Sequence, residues 1–518
     1  MLAAGVCLLC SLEVARAGAQ VRVTTYHNDN SRTGQNLAES ILNPSNVNRR
    51  NFGKLFAQNL DGYAYAQPLY LPNVSISGRG THNVVFVATE HDSVYAFDAD
   101  SNSGSNAIPL WKVSFINPSA GITTISSNDA TCYDIVPEIG ITGTPVIDPS
   151  SGTLYVVAKT KENGSFVQRL HALNVSSGKE KFGGPVVIQA SVPGTGLGGN
   201  GTSIPFQPLI ANQRPGLLLQ DGVVYIGWAG HCDGGPAHGW LMAYSASTLQ
   251  QKAVFNSTPN GIRGGFWAAG AAPAADSLGN IFMATGNGDF DEVSDFGDSM
   301  LKLSSSLQRE DYFTPFNQGA LNVNDVDLGS GGILLLPDQQ GAHSHLLVQA
   351  AKEGKIYLVD RDHMGGFNFN GDTQIVQEIP YAVGGMWSMP AYWVGNQTLY
   401  FLGSNDVLRA FALNNGLLST TPVALGNTEF FFPGATPSIS ANGTAHGIIW
   451  VLQNDQFAIS GRGILRAYDA TNLVELYNSD QNGRRDIPGP AVKFTVPTVA
   501  NGKVYVGTEN SLSVYGLH

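Results

Sequence analysis

One phrase returns eight times along this chain: an apolar strand, a turn rich in Gly, Asn or Asp, and a second strand that tends to end near Ala-Tyr/Phe-Asp. The copies occupy residues 84–98, 153–174, 223–245, 280–303, 346–360, 398–413, 448–469 and 504–515. A repeat that cannot bury its own apolar face must stack on its neighbours, so this self-similarity constrains the fold before anything else does. The spacing, roughly 50–70 residues, suits a four-stranded propeller blade with its loops and not a helical solenoid. The chain is therefore expected to be all-β: a single eight-bladed β-propeller of four-stranded antiparallel blades.

The same reading closes the ring. The first unit offers strands at 67–71, 84–88, 93–97 and 109–115, whereas the last offers only 493–497, 503–507 and 512–515. Residues 52–60 have the strand character to supply the missing member, and such closure removes open sheet edges. Trp111, at the end of the first unit, is expected to pack between sheets. Three regions follow: a signal peptide at 1–19, an N-terminal leading segment with the ring-closing strand at 20–60, and propeller repeats from 61 to 518.

Composition narrows the function. Gly and Pro number 61 and 26, charged residues make up only 13%, and no long stretch has helical apolar spacing. A net charge of −12 argues against nucleic acid, whose phosphates need a basic face. The apolar run at 2–12 has the length of a signal-peptide core and is too short to span a bilayer, although a basic start is missing. The expectation is an exported monomer, periplasmic or extracellular, without a membrane span. Cys7 and Cys10 fall in that leader; Cys132 and Cys232 remain, and spacing alone leaves open whether they pair.

Fold does not give chemistry, so the loops carry the functional reading. Residues 227–239, 286–298 and 322–332 are dense in Gly, Asp and Asn. Oxygens from Asn and Asp on tight turns are hard ligands suited to Ca²⁺, but the same residues build Asx turns with no ligand at all. The pair Asp325 and Asp327 poses the same choice between a base with a ligand and a strand end. No Gly-X-Ser-X-Gly elbow, His-Glu-X-X-His pair or helix-linked phosphate loop is present.

The phrases 138–145 (Glu-Ile-Gly-Ile-Thr-Gly-Thr-Pro), 238–240 (His-Gly-Trp), 285–288 (Thr-Gly-Asn-Gly) and 325–331 (Asp-Val-Asp-Leu-Gly-Ser-Gly) resemble those of the quinoprotein alcohol dehydrogenase-like propellers. The resemblance runs from Asn28 to the last repeat and is nearest to secreted bacterial quinoprotein-like propellers. It implies pyrroloquinoline quinone (PQQ) stacked on a tryptophan and bridged to Ca²⁺. Carried over by position, Trp267 takes the stacking floor, Asn287 and Asp233 the metal, Asp325 or Asp327 the general base, and Lys352 the cation beside the quinone oxygens.

Three departures weaken the likeness. Many members clamp the quinone with a disulfide between adjacent cysteines, but here that place reads Cys132-Tyr133. Asp233 is shorter than the glutamate that completes the metal site. Met386, before Trp387, replaces a polar residue. No Cys-X-X-Cys-His is present, so covalent haem is not expected and an enzyme would need an external electron acceptor. Two readings stand: a PQQ- and Ca²⁺-dependent oxidoreductase of alcohol-type substrates with a modified site, or a non-catalytic propeller binding a glycan, peptide or protein. The first requires Trp267, Asn287, Asp325 and Lys352 to converge; the second requires a blocked or apolar mouth, with aromatics such as 430–432 on an outer rim.

Overall fold

In several repeats a strand is buried along both faces, as in Ser93–Asp98, where every residue is buried. Such strands are stable only between two neighbouring sheets, and β-branched residues such as Val84, Val85 and Val87 suit that pleated packing. The computed structural model, which describes residues 21–518, arranges them as eight four-stranded antiparallel blades of a propeller. The expected signal peptide lies outside the described residues. Among the described residues helix is confined to short pieces such as Ser127–Ala130 and Gln318–Val323.

The first blade runs Leu69–Ile76, Gly80–Thr89, Ser93–Asp98 and Trp111–Ser114 in sheet order. The last blade is completed from the N-terminal side: Phe52–Asn59 pairs antiparallel with Ser511–Leu517, which pairs with Lys503–Gly507. Its innermost strand is Thr498–Ala500, not 493–497 as the sequence pattern indicates. Pro497 has no N–H to give to a ladder, so pairing starts after it, and the preceding residues become a loop.

Neighbouring blades are latched by a repeated bond. A tyrosine hydroxyl on the second strand of one blade donates to a carbonyl of the next: Tyr155 to Ala246 (2.7 Å), Tyr225 to Ser305 (2.9 Å) and Tyr400 to Ala470 (2.6 Å). Tyr505 of the last blade donates to Ala99 of the first (3.2 Å), so the latch crosses the closure. Trp111 makes the equivalent link between the first two blades through Nε1 and the Val175 carbonyl (2.8 Å).

The leading segment does more than deliver the closing strand. Residues 23–36 visit the innermost strand of every blade in order. Val23 bonds Tyr70, the Thr24 carbonyl accepts from Ile147, and Asn30 reaches Leu219 and Ala275. Ser31, Thr33 and Gly34 then accept from Leu335, Tyr392 and Ile439, and Asn36 Nδ2 donates to Val499. These bonds pair the free inner edges that a propeller otherwise leaves open. At the centre Arg32, fully buried, gives its guanidinium hydrogens to Pro273, Thr25, Tyr26 and Asp29 oxygens. Tyr26 packs in one cluster with Ala268, Ala271, Met386 and Met389, which form the floor under the functional cavity.

Candidate functional site

Each of the loops leading into blades 2 to 8 sends a side chain into one cavity of about 360 Å³. Contributions from seven consecutive inter-blade loops can meet only around the propeller axis. Asp134 precedes the second blade, Arg214 the third, Trp267 the fourth, Asp325 and Asp327 the fifth, Trp387 the sixth, Phe432 the seventh, and Lys493 with Phe494 the eighth. Two loops that follow second strands add Cys232 with Asp233, after Val223–Gly230, and Lys352, after Leu346–Ala350.

The acidic part of the wall is tightly cross-linked. Asp327, 5% exposed, accepts from the Asn287 backbone N–H at Oδ1 (2.8 Å) and from Lys352 Nζ at Oδ2 (2.5 Å). Asp325 lies at the rim with a side chain 78% exposed, and accepts from Lys352 Nζ (3.0 Å) and Asn287 Nδ2 (2.8 Å). Trp267 Nε1 donates to Asp233 Oδ1 (3.2 Å). Gly286 lies between these groups: a Cβ there would sit 2.8 Å from Asp327 Oδ1 and 3.0 Å from Trp267 Cδ1. Only glycine lets the backbone approach the carboxylate and the indole together.

Electrostatics follows from crowding. Burial, and next the neighbouring Asp327, push the Asp233 carboxyl up to about 7. Burial likewise raises Asp298, which accepts from the Leu328 N–H (3.0 Å) and leaves Oδ2 unpartnered. Burial opposes the charge on Lys352, but Asp327 and Asp325 outweigh it and hold the ammonium above its ordinary value. The Asn287 Oδ1 is buried without a hydrogen-bond partner. The backbone is strained at Cys232, Asp233, Asp298 and Asp325, all with φ between 47° and 57°.

Cys132 and Cys232 pair, with Cα atoms 5.8 Å apart. Cys132 is 2% exposed and does not line the cavity; Cys232 does. A disulfide thus reaches the wall from two distant loops, although the adjacent pair is missing. Behind it, His231 Nδ1 bonds Asp134 (3.0 Å) and Nε2 meets Lys159 Nζ (2.8 Å). Cys132, Asp134 and His231 lie within 4.8 Å of one another, but the sulfur is committed to the disulfide.

All the sequence-derived candidates except Cys132 and Asn287 line the cavity directly, and Asn287 bonds both aspartates. The Asp-rich stretch 286–298 divides: Asn287 bonds both aspartates of the cavity and Asp298 accepts from the Leu328 N–H behind them, whereas Asp291 accepts from Val293, Ser294 and Asp295 in an ordinary turn. Met386 is fully buried in the floor, and Trp387 takes the lining position. Of the aromatic run, Phe430 is core, while Phe432 lines the cavity with its ring 5.1 Å from Trp387. Sequence reasoning missed Arg214, Lys493, Phe494 and Asp134. Arg214 gave a usable signal, being a lone cation in the otherwise uncharged stretch 209–220.

No protein-family profile matches the chain, and a search of curated proteins returns no match. Solved structures do match. A quinohemoprotein alcohol dehydrogenase from Comamonas testosteroni aligns with a TM-score of 0.60 at 14% identity, over 97% of this chain and 81% of that one. A europium-containing methanol dehydrogenase aligns at 0.63 and 13% identity, over 96% and 98% of the two chains. A quinohemoprotein alcohol dehydrogenase from Pseudomonas putida HK5 aligns at 0.59 and 13%, over 96% and 80%. The chain has the fold of the PQQ-type quinoprotein dehydrogenases, the eight-bladed propeller class.

Proposed function

We propose that the protein is an exported oxidoreductase of alcohol-type substrates that holds PQQ and a hard cation in the axial cavity. The observation that carries this reading is the convergence of Trp267, Asp327 and Lys352 on one open cavity, with the buried Asn287 Oδ1 unpartnered beside them. Strained backbone and buried carboxylates gather where ligands are held and reactions are run.

The residues fit the group. Trp267 offers a planar indole face fixed by its bond to Asp233. Asn287 Oδ1 and the Asp233 carboxylate would offer oxygen donors to a cation such as Ca²⁺; europium, named for one similar structure, is also a hard cation. Such a cation would offset the burial, and the smaller repulsion from Asp327, that together raise Asp233. Bound there, the quinone would supply two-electron oxidation of an alcohol, and an external acceptor would take the electrons.

Asp327 is the general base. It is buried, fixed from the backbone of Asn287, and placed to take the hydroxyl proton at Oδ2, where Lys352 now sits. Lys352 has a second role, steadying negative charge as it develops at the cavity end. Asp325, exposed at the rim, positions Lys352 and Asn287. Export is supported by the Cys132–Cys232 disulfide, which needs an oxidising compartment. Among the described residues no helix is long and apolar enough to cross a membrane.

The test is dye-linked alcohol oxidation by protein reconstituted with PQQ and Ca²⁺. Asp327→Asn should lower kcat by about 10²- to 10⁴-fold, the usual worth of a positioned base, while retaining PQQ binding. Activity left intact in Asp327→Asn would remove the assignment.

A further inference from the structure

One part of the cavity wall gathers ligand-bearing side chains that the proposed function does not use. Cys132 Sγ, a carboxylate oxygen of Asp134 and a ring nitrogen of His231 lie within 4.8 Å of one another, and Cys232 adds a second sulfur through its bond to Cys132. They come as two pairs on two loops, Cys132 with Asp134 and His231 with Cys232. Structural zinc sites draw their four ligands from paired positions in the same way. Cys132 and His231 are 2% and 4% exposed, whereas Cys232 is exposed and lines the cavity with Asp134. The group is closed on its inner side and open to the cavity.

The bonds around these side chains hold them in place. The Asp134 N–H donates to Cys132 Sγ (3.4 Å), a bond that favours the sulfur as a thiolate. Asn212 Nδ2 donates to Asp134 Oδ2 (2.9 Å) and orients the carboxylate. His231 turns Nδ1 to Asp134 (3.0 Å), and Lys159 Nζ holds Nε2 (2.8 Å). Partners of this kind, one layer out, fix the orientation of metal ligands.

Reduction would free the sulfurs. The thiolate of a dithiol attacks the exposed Cys232 sulfur and expels Cys132. Its second thiol then breaks the mixed disulfide, so the reagent leaves oxidised and both cysteines stand as thiols. A divalent cation entering from the cavity displaces the two thiol protons to solvent. At His231 the Nδ1 proton leaves as well, and Lys159 passes one of its own to Nε2. Two thiolates, an imidazole and a carboxylate make a tetrahedral set, and the sulfurs select zinc over calcium.

We infer that the Cys132–Cys232 disulfide masks a metal site that reduction opens to a thiophilic divalent cation of the Zn²⁺ class. The inference stands apart from the proposed function, since it uses neither Asn287 nor Asp327 and needs no quinone.

In the test, the full chain is reduced with dithiothreitol, freed of reagent without air, and titrated with Co²⁺ and then Zn²⁺. Reduced wild type should take up one Co²⁺ per chain, with the intense visible bands of tetrahedral cobalt and a sulfur-to-metal band in the near ultraviolet. Zn²⁺ should abolish both, and the oxidised protein should show neither. His231→Gln and Asp134→Asn should each weaken Zn²⁺ binding at least about tenfold, the least that losing even an outer partner costs. Joint replacement of Cys132→Ser and Cys232→Ser, which retains Cys7 and Cys10, should remove the bands. Equal bands in that variant, weak octahedral bands alone, or unchanged affinity in both His231→Gln and Asp134→Asn would overturn the site. Melting is followed alongside, because reduction removes a cross-link. Zn²⁺ should raise the Tm of reduced wild type and not that of reduced His231→Gln; no rise in wild type overturns the site.

Discussion

At the residue scale, position within one short loop separates two carboxylates that look alike in sequence. Asp325 and Asp327 are two residues apart; one is exposed at the rim and the other is buried against the Asn287 backbone. No sequence pattern carried that difference, because it depends on the turn that sets Asp325 at φ 57°. Trp267, Asn287 and Lys352 were legible as neighbours of one cavity because the resemblance carried them there by position. Lys493 was not, because its place in the cavity depends on its surroundings. A buried acid beyond the cavity gives a pH test. Glu90 accepts from the Gly140 N–H (2.8 Å) and the Thr142 hydroxyl (3.1 Å), with Oε1 unpartnered. Burial, and to a smaller degree Glu138, raise it to about 8 against those two bonds. A raised acid stabilises the fold fully below its ordinary value of 4.5 and loses that contribution as pH rises toward 8. Chemical denaturation across this range should show wild type losing stability relative to Glu90→Gln, by at most about 1.4 kcal/mol per pH unit. A difference independent of pH would contradict the raised value.

At the scale of elements, strands were legible and loops were not. The hairpin of every blade follows from alternation and turn residues, and the closing strand Phe52–Asn59 from counting members. The misplaced strand at 493–497 is instructive: Lys493 and Phe494 have strand-like neighbours, but Pro497 blocks pairing and frees them to enter the cavity. The cross-link between loops belongs here as well. Cys132 and Cys232 are 100 residues apart and tie the approach to the second blade to the third. Replacing both by Ser should lower stability by about 2–4 kcal/mol in urea denaturation. The same change should weaken ligand binding, because Cys232 and Asp233 share one strained turn. An unchanged midpoint would show that the second-blade approach is held by packing alone.

At the scale of the molecule, one ring has two ends with different tasks. Residues 23–36 bond the inner strand of every blade, fix their spacing around the axis and fill the channel with His27 and Arg32. Periodicity cannot reveal such a segment, since it follows a circle of unlike partners and repeats nothing. The other end then receives seven loops over a rigid floor, the setting in which groups can be held for chemistry. The most direct measurement is thermal melting of the protein with PQQ, Ca²⁺, both and neither. A ligand bound by the native state alone must raise Tm. The account predicts a saturable rise that needs both components and is lost in Trp267→Ala and Asn287→Ala. No rise at millimolar PQQ with Ca²⁺ would contradict it and leave the cavity as a site for a different ligand.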